Sequence, residues 1–147
     1  MDSIADMLAP DAVLLHLKAS TLDDALQQIS AHAAEVTGLA SPLILTALRE
    51  RTAQGVGMGH GVALPHARLD GLRRVVAFFA RPLSPIPSPD GGEPIRLIFI
   101  LLAPQTAHGA HLKALAQVAR ILRMPESRAA LEHAPDKNTA YALLVAA

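Results

Sequence analysis

Two runs restrict this chain most: "RRVVAFFARP" at 73–82 and "IRLIFILLAP" at 95–104. Inside their flanking arginines and prolines every position is apolar, with β-branched or aromatic residues in both. A strand with one wet face alternates apolar and polar residues, whereas an unbroken apolar run of strand length is covered on both faces. Covering both faces takes helices, so the expected class is α/β. At 147 residues the chain has the length of one domain, 1–147.

The rest of the sequence supplies the helices. "DAVLLHL" (11–17) reads as another strand, after which Ser20 or Thr21 can cap a helix with Asp23 and Asp24 in its first turn. Leu22, Leu26, Ile29 and Ala33 give that helix one apolar face, and Thr37-Gly38 ends it. Ser41-Pro42 predicts a second start, with Ser41 as cap, and the helix stops at Gly55. "LSPIPSPDGGEP", with four prolines and two glycines, predicts a surface loop between the two long strands. A third helix is expected over "GAHLKALAQVARILRM", burying Leu112, Leu115, Val118, Ala119 and Leu122. "PESRAALEHA" and "NTAYALLVAA" predict closing helices.

Composition removes several function classes. Lys plus Arg and Asp plus Glu both number 13, so no global field selects nucleic acid or an anionic membrane. Aromatic residues, at 3%, are too few for base-stacking platforms. There is no cysteine, hence no disulfide and no thiolate chemistry. The start, "MDSIADMLAPDAV", lacks the basic and apolar segments of a signal peptide, and the longest apolar run, 97–103, is far short of the roughly 20 residues of a membrane span. A soluble, cytoplasmic protein without membrane insertion is expected.

With seven histidines, imidazole is the natural place to look for chemistry. "GVGMGHGVALPHARL" (55–69) sets four alternate glycines before a strand-like "VALPH" that ends on His66. Pro65 fixes its own φ and pushes Leu64 toward extended geometry, so the backbone leading to His66 is stiff. Imidazole is largely neutral near pH 7 and can attack phosphorus, and the glycine N–H groups of Gly57, Gly59 and Gly61 could hold phosphoryl oxygens. The same string also reads as a glycine turn before a partly exposed histidine. Its spacing is neither the dinucleotide fingerprint nor a GxxxxGK[ST] phosphate loop. His108 and His111 stand at the start of the third helix, where an anion is favoured, although a histidine there can simply be a cap. His60, His66, His108 and His111 lack the spacing of a metal site. His16, His32 and His133 read as packing or surface residues.

Taken together, "ALRE…GVGMGHGVALPHARL" and "EPIRLIFILLAPQTAHGAHLKALAQVARIL" resemble the enzyme IIA domain of the bacterial phosphotransferase system, fructose/mannitol type, nearest its nitrogen-regulatory branch. The resemblance spans essentially the whole chain. It implies a mixed sheet flanked by helices, no cofactor, and a histidine, His66, phosphorylated on Nε2 by a histidine phosphocarrier. It implies that His111 stabilises the phosphoryl group and that an arginine helps, matched by Arg49 in the "RE" pair or by Arg51. Downstream partners would be regulatory target proteins or a IIB domain; a binding module that has lost phosphotransfer is the third reading. Three departures stand out: "AQGVGMG" replaces "GSTGIG", Arg49 lies one residue further from the histidine than usual, and His60 replaces an Asn or Glu. The roles of His60 and His108 stay open.

Overall fold

The computed structural model describes residues 3–146. Strand β1 (Leu8–Leu17) follows a four-residue helix α1 (Ile4–Met7) and leads to α2 (Leu22–Thr37) and α3 (Ser41–Thr52). Three short strands come next: β2 (Gly57–Gly59), β3 (Val62–Ala63) and β4 (His66–Leu69). The long strands β5 (Val76–Pro82) and β6 (Leu97–Pro104) precede helices α4 (His108–Arg123), α5 (Pro125–His133) and α6 (Lys137–Val145).

The two apolar runs do form the middle of the sheet, whose order is β1-β5-β6-β3-β2, with β4 also paired to β6. β5 and β6 are antiparallel, whereas β1 runs parallel to β5, and β3 and β4 run parallel to β6. The sheet is therefore mixed. β6 is buried from Leu97 to Ala103, as a strand covered on both faces must be. The three phenylalanines, Phe78, Phe79 and Phe99, are all fully buried here, and Phe79 faces Phe99 across the ladder with ring centroids 6.3 Å apart. Three phenylalanines suffice because all of them lie at the centre, with Leu, Ile, Val and Ala filling the rest of one continuous core.

The helices follow their start and stop signals with small shifts. Thr21 Oγ1 accepts the Asp24 N–H at 3.0 Å, and Gly38 closes α2 with φ 78°. At α3 the expected Ser41 cap moves by one: Ala40 holds the cap position without a side-chain bond, and Ser41 is already helical. α1 was not legible as a helix because its single turn rests on a local box, the Ser3 N–H donating to Asp6 Oδ2 at 2.8 Å. Arg81 anchors α5 to the sheet, its Nη1 donating to the carbonyls of Leu131, Glu132 and Ala134. The last residue of the expected closing helix lies outside the described residues. Among the described residues no helix is long and apolar enough to cross a membrane.

Pro65 divides what reads as one strand. Having no N–H, it cannot sit within a central ladder, so "VALPHARL" pairs with β6 as two pieces, Val62–Ala63 against Leu97–Ile98 and His66–Leu69 against Leu101–Pro104. The ladder is rejoined by the Leu101 N–H donating to the Pro65 carbonyl at 3.1 Å. The glycines belong to the first piece. Gly57–Gly59 pairs antiparallel with Val62–Ala63, and Gly59, His60 and Gly61 turn the hairpin at φ 77°, 56° and 79°.

Candidate functional site

A cavity of about 580 Å³ opens where α3, β4 and the first turn of α4 meet, and His66, His108 and His111 all line it. The elements deliver these side chains by their own periods. On α3, Ala47, Glu50 and Arg51 share one face by helical spacing and border the cavity, joined by Gln54 in the turn just past the helix end. On β4, His66 and Arg68 are two residues apart and project to the same side. On α4, His108 and His111 are one turn apart.

His66 is half-buried, and its protonation follows from its neighbours. Nδ1 lies 2.7 Å from the Leu64 carbonyl oxygen, which can only accept, so Nδ1 carries the proton. Nε2 then offers its lone pair, and Arg51 Nε donates to it at 3.0 Å. Burial pushes the His66 pKa down, the Leu64 carbonyl partly opposes this, and the Arg51 charge lowers it further. The ring is thus neutral near pH 7 with Nε2 facing the cavity. Beside it, His111 is buried at 9% exposure, the two ring centroids 5.4 Å apart and edge-on. Burial, then the charges of His66, Arg68, Arg51 and His108, hold the His111 pKa down at about 4. Its Nε2 is buried and makes no hydrogen bond within the protein.

Three expectations need correction. Arg49 does not face the cavity; it points the other way along α3 and forms a bidentate pair with Asp23 of α2, Nε to Oδ1 at 2.7 Å and Nη2 to Oδ2 at 2.8 Å. Two residues along a helix are about 200° apart, so only one of Arg49 and Arg51 can face β4, and it is Arg51. Gly57, Gly59 and Gly61 do not border the cavity either. Their hairpin lies at the Leu97 end of β6, whereas His66 pairs with Leu101, four residues or roughly 13 Å further along. Leu112 is not on the buried side of α4: it is 68% exposed and lies on the cavity rim, while Ala114, Val118, Ile121 and Leu122 carry the packing.

The sequence reading also missed Arg68, whose Nη1 lies 2.8 Å from His108 Nε2. Recognising "HARL" as a strand would have found it by period two. Of the remaining histidines, His60 is exposed at the hairpin turn and His32 packs edge-on against Phe78. His133 Nδ1 bonds the Ala129 carbonyl within α5. Among the described residues no group of three or more His, Asp or Glu is placed to hold a metal ion.

Fold and cavity together define a mixed α/β domain with a half-buried histidine at the cavity wall, its unprotonated ring nitrogen against the Arg51 guanidinium and the N-terminus of α4 beside it. Residues 6–147 match the family described as "Phosphoenolpyruvate-dependent sugar phosphotransferase system, EIIA 2". A nitrogen regulatory protein of Bradyrhizobium diazoefficiens is 39% identical over 143 residues, 96% of this chain and 94% of its own. The crystal structure of nitrogen regulatory protein IIA-Ntr from Neisseria meningitidis matches with TM-score 0.89 at 28% identity, over 96% of this chain and 98% of its own. The mannitol IIA enzyme of Escherichia coli, solved in complex with its phosphorylated IIB partner, matches over 96% of this chain and 100% of its own with TM-score 0.78; at 15% identity it speaks for the fold alone. The chain belongs to the EIIA type 2 family of the phosphotransferase system.

Proposed function

We propose that this protein is a phosphohistidine relay that accepts a phosphoryl group on His66 Nε2 from a histidine phosphocarrier in the cytoplasm. The observation that carries the reading is the tautomer: the Leu64 carbonyl holds the proton on Nδ1 and leaves Nε2 unprotonated, with its lone pair toward the cavity. In the transfer, the Nε2 lone pair forms a bond to phosphorus as the carrier's P–N bond breaks and its electron pair returns to the carrier nitrogen. Nδ1 keeps its proton and its bond to Leu64 throughout, so no separate base is needed. Arg51 must leave Nε2 as the new bond forms, and its guanidinium then serves the phosphoryl oxygens. His111 Nε2 is the natural further partner for those oxygens when its proton is on that nitrogen, since its hydrogen-bonding capacity is otherwise unused.

The regulatory reading is favoured over sugar transport by the 39% identical relative, which is a nitrogen regulatory protein. Target proteins would then be bound according to phosphorylation state. In the transport reading the phosphoryl group passes to a IIB domain, as the E. coli mannitol complex illustrates for that enzyme.

Incubation with phosphoenolpyruvate, enzyme I and the carrier is expected to add one acid-labile phosphate to the protein and none to His66→Ala. Uptake by His66→Ala overturns the assignment, and no uptake by the wild-type protein from its cognate carrier leaves a binding module on this fold. Onward transfer of labelled phosphate to a IIB domain would mark the transport role.

A further inference from the structure

Two guanidinium groups border the cavity, and the mechanism above uses only one. Arg68 and His108 form a second imidazole–guanidinium pair beside Arg51 and His66, with Arg68 Nη1 set against both ring nitrogens, Nδ1 and Nε2. The ion pairs among the described residues, Arg49–Asp23 and Arg96–Glu132, include neither cavity arginine. Arg68 is half-buried, and among the described residues its side chain bonds only to the ring of His108. Its charge is near enough to depress the titration of His111, the ring that packs against His66. A neutral ring nitrogen is a modest acceptor for a guanidinium, whereas a phosphoryl oxygen carries charge and makes a bond about twice as strong.

We propose that Arg68 is a second phosphoryl-holding arginine, parked on His108 in the unphosphorylated protein and drawn to the phosphoryl oxygens when His66 is phosphorylated. The inference rests on the His66 reading. No covalent bond changes at either residue: Arg68 exchanges one acceptor for another, and the exposed ring of His108 takes its hydrogen bonds from water. His108 is then a competitor for Arg68, not a ligand of phosphate, so removing the two partners must shift the equilibrium in opposite directions.

The measurement is the equilibrium ratio of phosphorylated protein to phosphorylated carrier, with labelled phosphate, together with the ¹⁵N shifts of the His108 ring. Arg68→Gln is expected to lower the ratio roughly tenfold or more, the worth of one hydrogen bond to a charged group, and Arg68→Lys to restore part of it. His108→Ala is expected to raise it about threefold, the net worth of the bond released. The His108 ring nitrogens should shift on phosphorylation in the wild-type protein but not in Arg68→Gln. If the wild-type protein takes phosphate on His66 while both deletions move the ratio the same way, or not at all, the parked-arginine inference fails alone. If the wild-type protein takes no phosphate on His66, the reading beneath it fails as well.

Discussion

Replacing Gly57 by alanine separates the two meanings the glycine stretch can have. A Cβ at Gly57 would lie 2.6 Å from the Val62 carbonyl oxygen, 2.8 Å from Leu64 N and 2.9 Å from Ala63 Cα. Even the closest ordinary C···O contacts are about 3.3 Å, so β2 must retreat by several tenths of an ångström. All three obstacles are backbone, and none can rotate away. Overpacking of this kind costs about 1–3 kcal/mol, and the backbone obstacles place Gly57→Ala at the upper end. For a domain of this size each kcal/mol is roughly 2–4 °C, so Tm is expected to fall by about 5–10 °C. Gly55, with nothing within 4 Å of its Cβ position and no positive φ, is the control: Gly55→Ala is expected to be neutral or stabilising by up to about 1 kcal/mol. Gly59 has equally open space but φ +77°, so Gly59→Ala costs about 1–2 kcal/mol in strain at the hairpin tip and leaves phosphotransfer intact. Calorimetry on the three variants, with phosphate uptake from the carrier measured in parallel, decides the matter. An unchanged Tm in Gly57→Ala, or lost uptake in a folded Gly59→Ala, would show that these glycines hold phosphate and not a hairpin.

Two further outcomes are expected. Because the folded pKa of His111 is about 4, against about 6.5 when unfolded, the unfolded chain binds the extra proton first; stability is full above pH 6.5 and declines as pH falls toward 4, by roughly 3 kcal/mol from this ring. His111→Gln should flatten that acid slope in denaturant titrations, and parallel slopes for the two proteins would contradict it. Arg51→Gln should slow phosphoryl uptake by about ten- to a hundredfold, whereas Arg49→Gln, which loses only the exposed pair with Asp23, should leave the rate unchanged in rapid-quench measurements.

The apolar continuity of 73–82 and 95–104 was enough to place both strands at the sheet centre, because burial on two faces leaves no room for alternation. Helix ends at Thr21 and Gly38 could be read directly, since a cap is satisfied by atoms within a few residues. His66 could be singled out from Pro65 and what precedes it, and His111 from its place at a helix start. What the local string could not show was direction and distance. "GVGMGHG" carries the composition of a loop that holds phosphate, yet its glycines serve a hairpin whose backbone passes within 3 Å of where a side chain would begin. That choice depends on which end of β6 the hairpin meets, Val62 pairing with Leu97 far along the sequence. Arg49 and Arg51 are chemically alike; the helix rotation fixed by packing α3 against α2 and β4 sends one to Asp23 and the other to His66. Arg68 and His108 are separated by forty residues and meet only because β4 and the start of α4 flank the same end of β6. Chain chemistry thus singled out His66, while the long-range register of one central strand chose the groups that surround it.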